Sequence, residues 1–160
     1  MLREFDLTKR LVHFPLHPGL GPKGVALAEL LRGYDLTAAN ARLATLAAAE
    51  GLPYDVTRDR AYDTRLAQEL GAWATERGTP LDDALFRAVF AESRNVGDPD
   101  VLVAIAEAAG LPGDEARRVL VDRTCREKID ADWRFAREAG VTGVPTYAIE
   151  RMGVVGAQPY

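Results

Sequence analysis

Few side chains in this 160-residue sequence are of the types that perform covalent chemistry, and the single cysteine limits what they can do. Cys125 has no second thiol to pair with, which excludes an intrachain disulfide and a thiolate cage for a metal ion. A thiol–disulfide reaction also needs a resolving cysteine beside the attacking thiolate. Ile129 and Trp133 follow Cys125 at intervals of four, so we predict a buried thiol on an apolar helical stripe. The adjacent Arg123 and Arg126 favour the alternative, a reactive lone thiol.

The histidines and the acidic residues around position 130 are not predicted to form a catalytic or metal site. His13 and His17 have the spacing of two zinc ligands on a helix, but Pro15 lies between them and prevents that helix. Two ligands are also fewer than a catalytic zinc site uses. We therefore predict no metal, no cofactor and no catalytic residue within these 160 residues. A solvated helix face is predicted for three acidic residues, Glu127, Asp130 and Asp132.

Helical periodicity dominates the sequence from about residue 25 to residue 140. Gly51, Gly78 and Gly140 end three of the predicted helices. Thr79 and Asp98 are predicted N-caps, since each precedes a proline that suits the first position of a helix. The predicted helices cover residues 25–31, 36–50, 63–77, 80–90, 99–109, 114–121 and 124–139.

Four aromatic residues in these helices could line a substrate cleft. Their helical spacing favours a second interpretation, in which they belong to the hydrophobic core. The four are Trp73, Phe86, Phe90 and Trp133.

Strand-like composition is confined to the two ends of the chain. Residues 7–14 are predicted to form one strand that stops at Pro15. Residues 141–149 are rich in β-forming residues, a tight turn is predicted at 151–153, and a second strand at 154–155 would complete a hairpin. Three strands make a poor sheet with open edges, so we expect the chain to self-associate through them.

Composition and charge exclude several classes of partner. The net charge is −4, which gives no attraction to nucleic acid or to an anionic membrane. No apolar run approaches the roughly 20 residues that span a bilayer. The first residues show no apolar region of a signal peptide, so we expect a cytoplasmic protein.

The segment Thr142, Gly143, Val144, Pro145 and Thr146 resembles the cis-proline loop of thioredoxin-fold proteins. Four further segments narrow the resemblance to the DsbA-like oxidoreductases, and to their FrnE-type members. These segments are residues 14–18 after the predicted strand, 65–70 in a helix, 94–98 before a helix, and 156–160.

The resemblance implies an α/β thioredoxin-like fold with a large all-helical insertion domain. Residues 1–22 and 141–160 would form an incomplete thioredoxin-like layer, and residues 23–140 would form the insertion. The family's strand–helix unit with Cys-x-x-Cys and its closing helix have no counterpart in this sequence. The chain is therefore interpreted as a truncated family member or, alternatively, as a redox-inactive remnant.

Thiol–disulfide oxidoreduction is the activity that the resemblance implies, with this chain inactive as given. The implied substrate is a protein or peptide with thiols or a disulfide, or glutathione, bound at Gly143, Val144, Pro145 and Thr146. An extended peptide would pair there with the backbone of Val144 by β-strand addition. Two alternatives stay open: a glutathione-dependent isomerase or transferase of the kappa/2-hydroxychromene-2-carboxylate type, and a redox-inactive peptide-binding module.

Overall fold

The computed structural model describes residues 10–149 and 152–156 and is dominated by helix. Its two small sheets are both antiparallel and two-stranded, β1 with β2 and β3 with β4. Along the chain the elements are β1 Val25–Ala26, α1 Leu27–Leu30, α2 Leu36–Ala49, β2 Arg60–Ala61, α3 Arg65–Glu76, α4 Asp82–Phe90, α5 Pro99–Ala108, α6 Gly113–Asp122, α7 Arg126–Glu138, β3 Thr146–Ile149 and β4 Met152–Val155.

Helix α3 is the centre of the hydrophobic core. It packs against α5, α6 and α7, and α5 packs against α6. Leu70 and Trp73 of α3 are buried one turn apart, as the helical spacing predicts, and they share the core with Leu102 of α5 and Ile129 of α7. The prediction that Trp73 is a core residue is confirmed. This helical assembly fixes the position of α7, whose end leads into the candidate site.

The two predicted N-caps have different outcomes. Asp98 caps α5 as predicted, because its carboxylate accepts a hydrogen bond from the Asp100 N–H at 2.9 Å. The prediction for Thr79 is wrong. Its N–H donates to the Ala74 carbonyl and so closes α3, while the buried Leu81 occupies the N-cap position of α4.

Helices α2 and α4 expose apolar residues that periodicity assigns to an inner face. Phe86 and Phe90 of α4 are 61% and 41% exposed, so their assignment to the core is wrong. Helix α4 instead buries Ala88, and only part of its apolar surface meets the core. Helix α2 buries none of its residues, and Leu43 and Leu46 are both about half exposed. The periodicity of the sequence predicted these helices, but it does not show which apolar faces pack against another element.

Three predictions of secondary structure, for a strand, a helix and a turn, need correction. Residues 10–14 do not form a strand, because the His13 N–H donates to the Asp132 carboxylate of α7 instead of to a neighbouring strand. Residues 7–9 of that prediction lie outside the described residues.

The predicted helix at 25–31 begins as a strand, since Val25 pairs with Ala61. The hairpin is confirmed, but Met152 already pairs with Ile149 in β4, so the predicted turn at 151–153 is misplaced.

Candidate functional site

The loop between α7 and β3 is built by a helix stop followed by a proline. Gly140 follows α7 with a φ of +72°, a conformation that glycine adopts without steric cost. The Val141 N–H donates to the Ala136 carbonyl, which completes the end of the helix. Three residues later the Val144–Pro145 peptide bond is cis. The chain thus turns out of α7 and enters β3 within seven residues.

Two hydrogen bonds hold the loop residues in place. The Thr146 hydroxyl donates to the Gly143 carbonyl at 2.7 Å. The Pro145 carbonyl accepts from the Gly156 N–H at 2.7 Å, which joins the loop to the end of β4. The structure therefore brings Gly143, Pro145 and Thr146 together around Val144.

Val144 has unused backbone hydrogen-bonding capacity in this loop. It is 48% exposed, and in residues 10–149 and 152–156 neither its N–H nor its carbonyl has a hydrogen-bond partner. An exposed N–H and carbonyl on one residue can form a pair of bonds with an extended chain that lies alongside. These are the groups that β-strand addition of a peptide would use, and that mode of binding requires no catalytic side chain.

The single cysteine is not part of this loop. Cys125 is 7% exposed and occupies the N-cap position of α7. Burial raises the pKa of its thiol, and the nearby Glu76 carboxylate acts in the same direction. Lys128 and a hydrogen bond from Thr124 lower the pKa only partly. The prediction of a buried thiol is confirmed, and a raised pKa leaves little thiolate at neutral pH.

Helix α3 carries a buried carboxylate, Glu69, that the sequence analysis did not identify as a candidate site residue. Glu69 is fully buried and accepts hydrogen bonds from the Arg65 Nε at 2.5 Å and from the Arg123 Nε and Nη2, both at 2.7 Å. Burial alone would raise the pKa of Glu69, but the hydrogen bonds from Arg123 and Arg65 outweigh it and lower the pKa. Arg65 also pairs with Asp130 at 2.7 Å. This network joins α3 to α7 and to the residue that follows α6.

The acidic residues around position 130 do not share one environment. Glu127 is exposed and Asp130 is partly exposed, but Asp132 is buried, so the prediction of a common solvated face is wrong for Asp132. Its carboxylate faces the Nδ1 of His13 at 2.7 Å and also accepts from the His13 N–H at 3.2 Å. His17 is exposed. Within the described residues no three histidine, cysteine or acidic side chains are grouped as metal ligands would be.

Trp133 lies at the border between the core and the surface. It packs against the core cluster while its Nε1–H donates to the Gln68 Oε1 at 2.7 Å. The Arg65 guanidinium stacks over its ring, 4.5 Å from the centroid. A partly buried aromatic with a satisfied N–H agrees with the interpretation of Trp133 as a structural residue.

No helix in the described part of the chain combines the length and the apolar character that crossing a membrane requires.

A family model and a solved structure indicate the same family for this chain. A model of the DSBA-like thioredoxin domain matches residues 3–160. The uncharacterized protein YwbO of Bacillus subtilis is 34% identical over 82 residues, which are 51% of this chain and 41% of YwbO. The chain thus matches less than half the length of this curated relative. A solved structure, a probable DsbA oxidoreductase from Streptomyces coelicolor, is similar with a TM-score of 0.82 and 37% identity, over 92% of this chain and 68% of that one.

Proposed function

This chain belongs to the family of DSBA-like thioredoxin domains, and from that premise we propose that it forms the substrate-binding part of a thiol–disulfide oxidoreductase site. The family match and the similar structure confirm the thioredoxin-like fold with a helical insertion. That similar structure is itself described as a probable DsbA oxidoreductase. We assign the chain to the FrnE-type members on the sequence segments 14–18, 65–70, 94–98 and 156–160, and we assign residues 23–140 to the insertion.

The observation that carries the proposal is the unpaired backbone of Val144, a residue that is about half exposed. Its N–H and carbonyl have no partner in the described parts of the chain, and the loop around it is fixed by hydrogen bonds at Gly143 and Pro145. A substrate peptide in extended conformation would donate to the Val144 carbonyl and accept from the Val144 N–H. In this proposal the cysteine of the substrate lies next to Pro145 and Thr146.

The chemistry of the proposed reaction requires thiols that these 160 residues do not contain. The sequence has no Cys-x-x-Cys pair, and the buried Cys125 has a raised pKa and no resolving partner. We therefore expect the chain by itself to bind substrate without oxidising or reducing it.

The activity part of the proposal is tested by the reduction of insulin with dithiothreitol as the reductant. We expect the same turbidity trace with and without the chain, and no change in the Cys125→Ser variant. Turnover above the background that survives Cys125→Ser would contradict the expectation, because no other thiol is available. Turnover that Cys125→Ser abolishes would contradict the interpretation of Cys125 as an inert core residue.

The binding part is tested with two probes that separate peptide from glutathione. One is a capped pentapeptide with a central S-methylcysteine, and the other is S-methylglutathione, so neither can react. We expect the pentapeptide to shift the backbone amide signals of Gly143, Val144 and Thr146 and to bind more tightly than S-methylglutathione. Tighter binding of S-methylglutathione at these residues would favour the glutathione-dependent alternative. An absence of shifts with both probes at millimolar concentration would refute the proposed site.

A further inference from the structure

We propose that a groove beside α4 binds an arginine side chain of a partner polypeptide. The groove has a volume of about 350 Å³ and is lined by Leu11, Pro80, Asp82, Asp83 and Phe86. It does not include the Val144 loop, so the two proposals can be tested separately.

Two walls of the groove are apolar and exposed. Leu11 is 57% exposed and Phe86 is 61% exposed. Covering such surface with a partner side chain removes it from water and is favourable. Pro80 adds a third apolar wall whose backbone torsion φ is fixed by its ring. The three methylene groups of an arginine side chain can lie along apolar walls of this kind while the guanidinium stays near polar groups.

The groove carries two negative charges, which would attract a cation. Asp82 and Asp83 lie in the first turn of α4, and neither carboxylate has an ion-pair partner among the residues that the structure describes. The helix dipole favours acids in a first turn, but it does not account for exposed apolar residues beside them. Phe86 follows Asp83 by three residues and Asp82 by four, so its ring and both carboxylates share one face of the helix.

A comparison with the other aromatic rings indicates which cation fits. Phe86 lies 6.4 Å from Phe90, centroid to centroid, yet in the described residues no guanidinium covers Phe86. A guanidinium is planar, stacks on aromatic faces and forms paired hydrogen bonds with carboxylates, whereas an ammonium does only part of this. In the part of the chain that the structure describes, four rings already carry an arginine at 4.4 to 5.6 Å: Trp73 under Arg77, Trp133 under Arg65, Phe90 under Arg58 and Phe135 under Arg10.

The test uses two capped dipeptides that differ only in charge. Acetyl-leucyl-arginine amide is the probe, and acetyl-leucyl-citrulline amide has the same shape without the positive charge. We expect the arginine probe to shift the amide signals of Leu11, Asp82, Asp83 and Phe86 in a saturable manner. The citrulline probe should bind about fivefold more weakly, since a cation–π contact and an ion pair are lost. Equal affinity for the two probes, or no shift at these residues, would overturn the proposal.

Variants of Asp82 and Asp83 test whether the arginine probe binds in this groove. We expect the double variant Asp82→Asn/Asp83→Asn to weaken the arginine probe about fivefold and to leave the citrulline probe unchanged. Asp114→Asn is the matched control, because it also removes an acid from a first helical turn, that of α6. Equal weakening by Asp114→Asn would overturn the proposal. So would shifts of the groove amides that depend on protein concentration without any probe and that persist in Asp82→Asn/Asp83→Asn, since they would indicate that a second copy covers the groove without using its charges.

Discussion

Replacing Glu69 with glutamine tests whether the buried ion network holds the helical assembly together. Glu69 accepts three hydrogen bonds, one from Arg65 and two from Arg123. Glutamine keeps the shape and one oxygen, but its NH₂ group must face a guanidinium, which has no acceptor to offer. At least one charged hydrogen bond is therefore lost, and the two arginines lose the negative charge between them.

The expected cost follows from the burial of the partners. Breaking a buried ion pair by removing one partner costs about 3–5 kcal/mol. Arg65 keeps Asp130 as a partner, and the side chain of Arg123 is 37% exposed and can turn toward water. We therefore expect the lower end, a decrease of about 3 kcal/mol in the free energy of unfolding. With a urea slope of about 2 kcal/mol/M, the unfolding midpoint falls by about 1.5 M.

The assay is urea unfolding followed by far-ultraviolet circular dichroism, with a control on the same helix. Glu76 of α3 pairs with Lys128 at 2.7 Å but is 55% exposed, so Glu76→Gln should cost less than about 1 kcal/mol. If Glu69→Gln and Glu76→Gln shift the urea midpoint equally, the buried network does not contribute more to the free energy of unfolding than an exposed ion pair does, and the reasoning is refuted.

The pH dependence of the same comparison gives an independent check. The hydrogen bonds from Arg123 and Arg65 outweigh the effect of burial and hold the pKa of Glu69 below its usual value. A carboxyl with a lowered pKa in the folded state contributes its stability above the unfolded pKa, about 4.3, and loses it as the pH falls through the folded value. The difference between the wild type and Glu69→Gln should be full at neutral pH and shrink only below about pH 4. A difference that grows on acidification would refute this reasoning.

Three further predictions follow from the described contacts. Cys125 should react with an aromatic disulfide reagent at neutral pH only after urea is added, because the thiol is buried and its pKa is raised. Rapid reaction in the native state would contradict this prediction. Gly24→Ala should lower the free energy of unfolding by about 2 kcal/mol in urea titrations. The reason is that Gly24 has a φ of +61° and that a Cβ there would clash with the Ala61 carbonyl oxygen. An unchanged midpoint would count against the β1–β2 contact. Asp132→Ala should speed amide hydrogen exchange at His13 about tenfold without unfolding the core. The reason is that His13 loses both of its contacts with the Asp132 carboxylate, one from its N–H and one from its Nδ1. Exchange at the wild-type rate would show that these contacts do not restrain the backbone at His13.

Local sequence patterns were enough to predict most of the helices and the loop at 142–146. The spacing of Leu70 and Trp73 located the core face of α3, and the Asp98–Pro99 pair located the start of α5. Both depend on contacts within a few residues, which sequence patterns encode directly. The five residues at 142–146 likewise indicated a thioredoxin-like loop, and the family match agrees with that fold.

Long-range contacts account for what the sequence did not reveal. Arg65 and Glu69 have the spacing of a helical ion pair, which is the one local signal for the buried network. Arg123 is 54 residues from Glu69, and nothing in the sequence indicates that they meet. The exposure of Phe86 has the same origin, because periodicity describes a helix without its neighbours.

The proposal that Val144 binds the backbone of an extended substrate is tested most directly by deleting one hydrogen bond from the substrate. The capped pentapeptide with a central S-methylcysteine is compared with an analogue in which the backbone nitrogen of that residue is methylated. We predict that the unmodified peptide shifts the Val144 amide signal and that the methylated analogue binds about fivefold more weakly, the value of one hydrogen bond. Equal affinities, or tight binding that leaves the Val144 amide signal unmoved, would contradict the assignment of this loop as the substrate site.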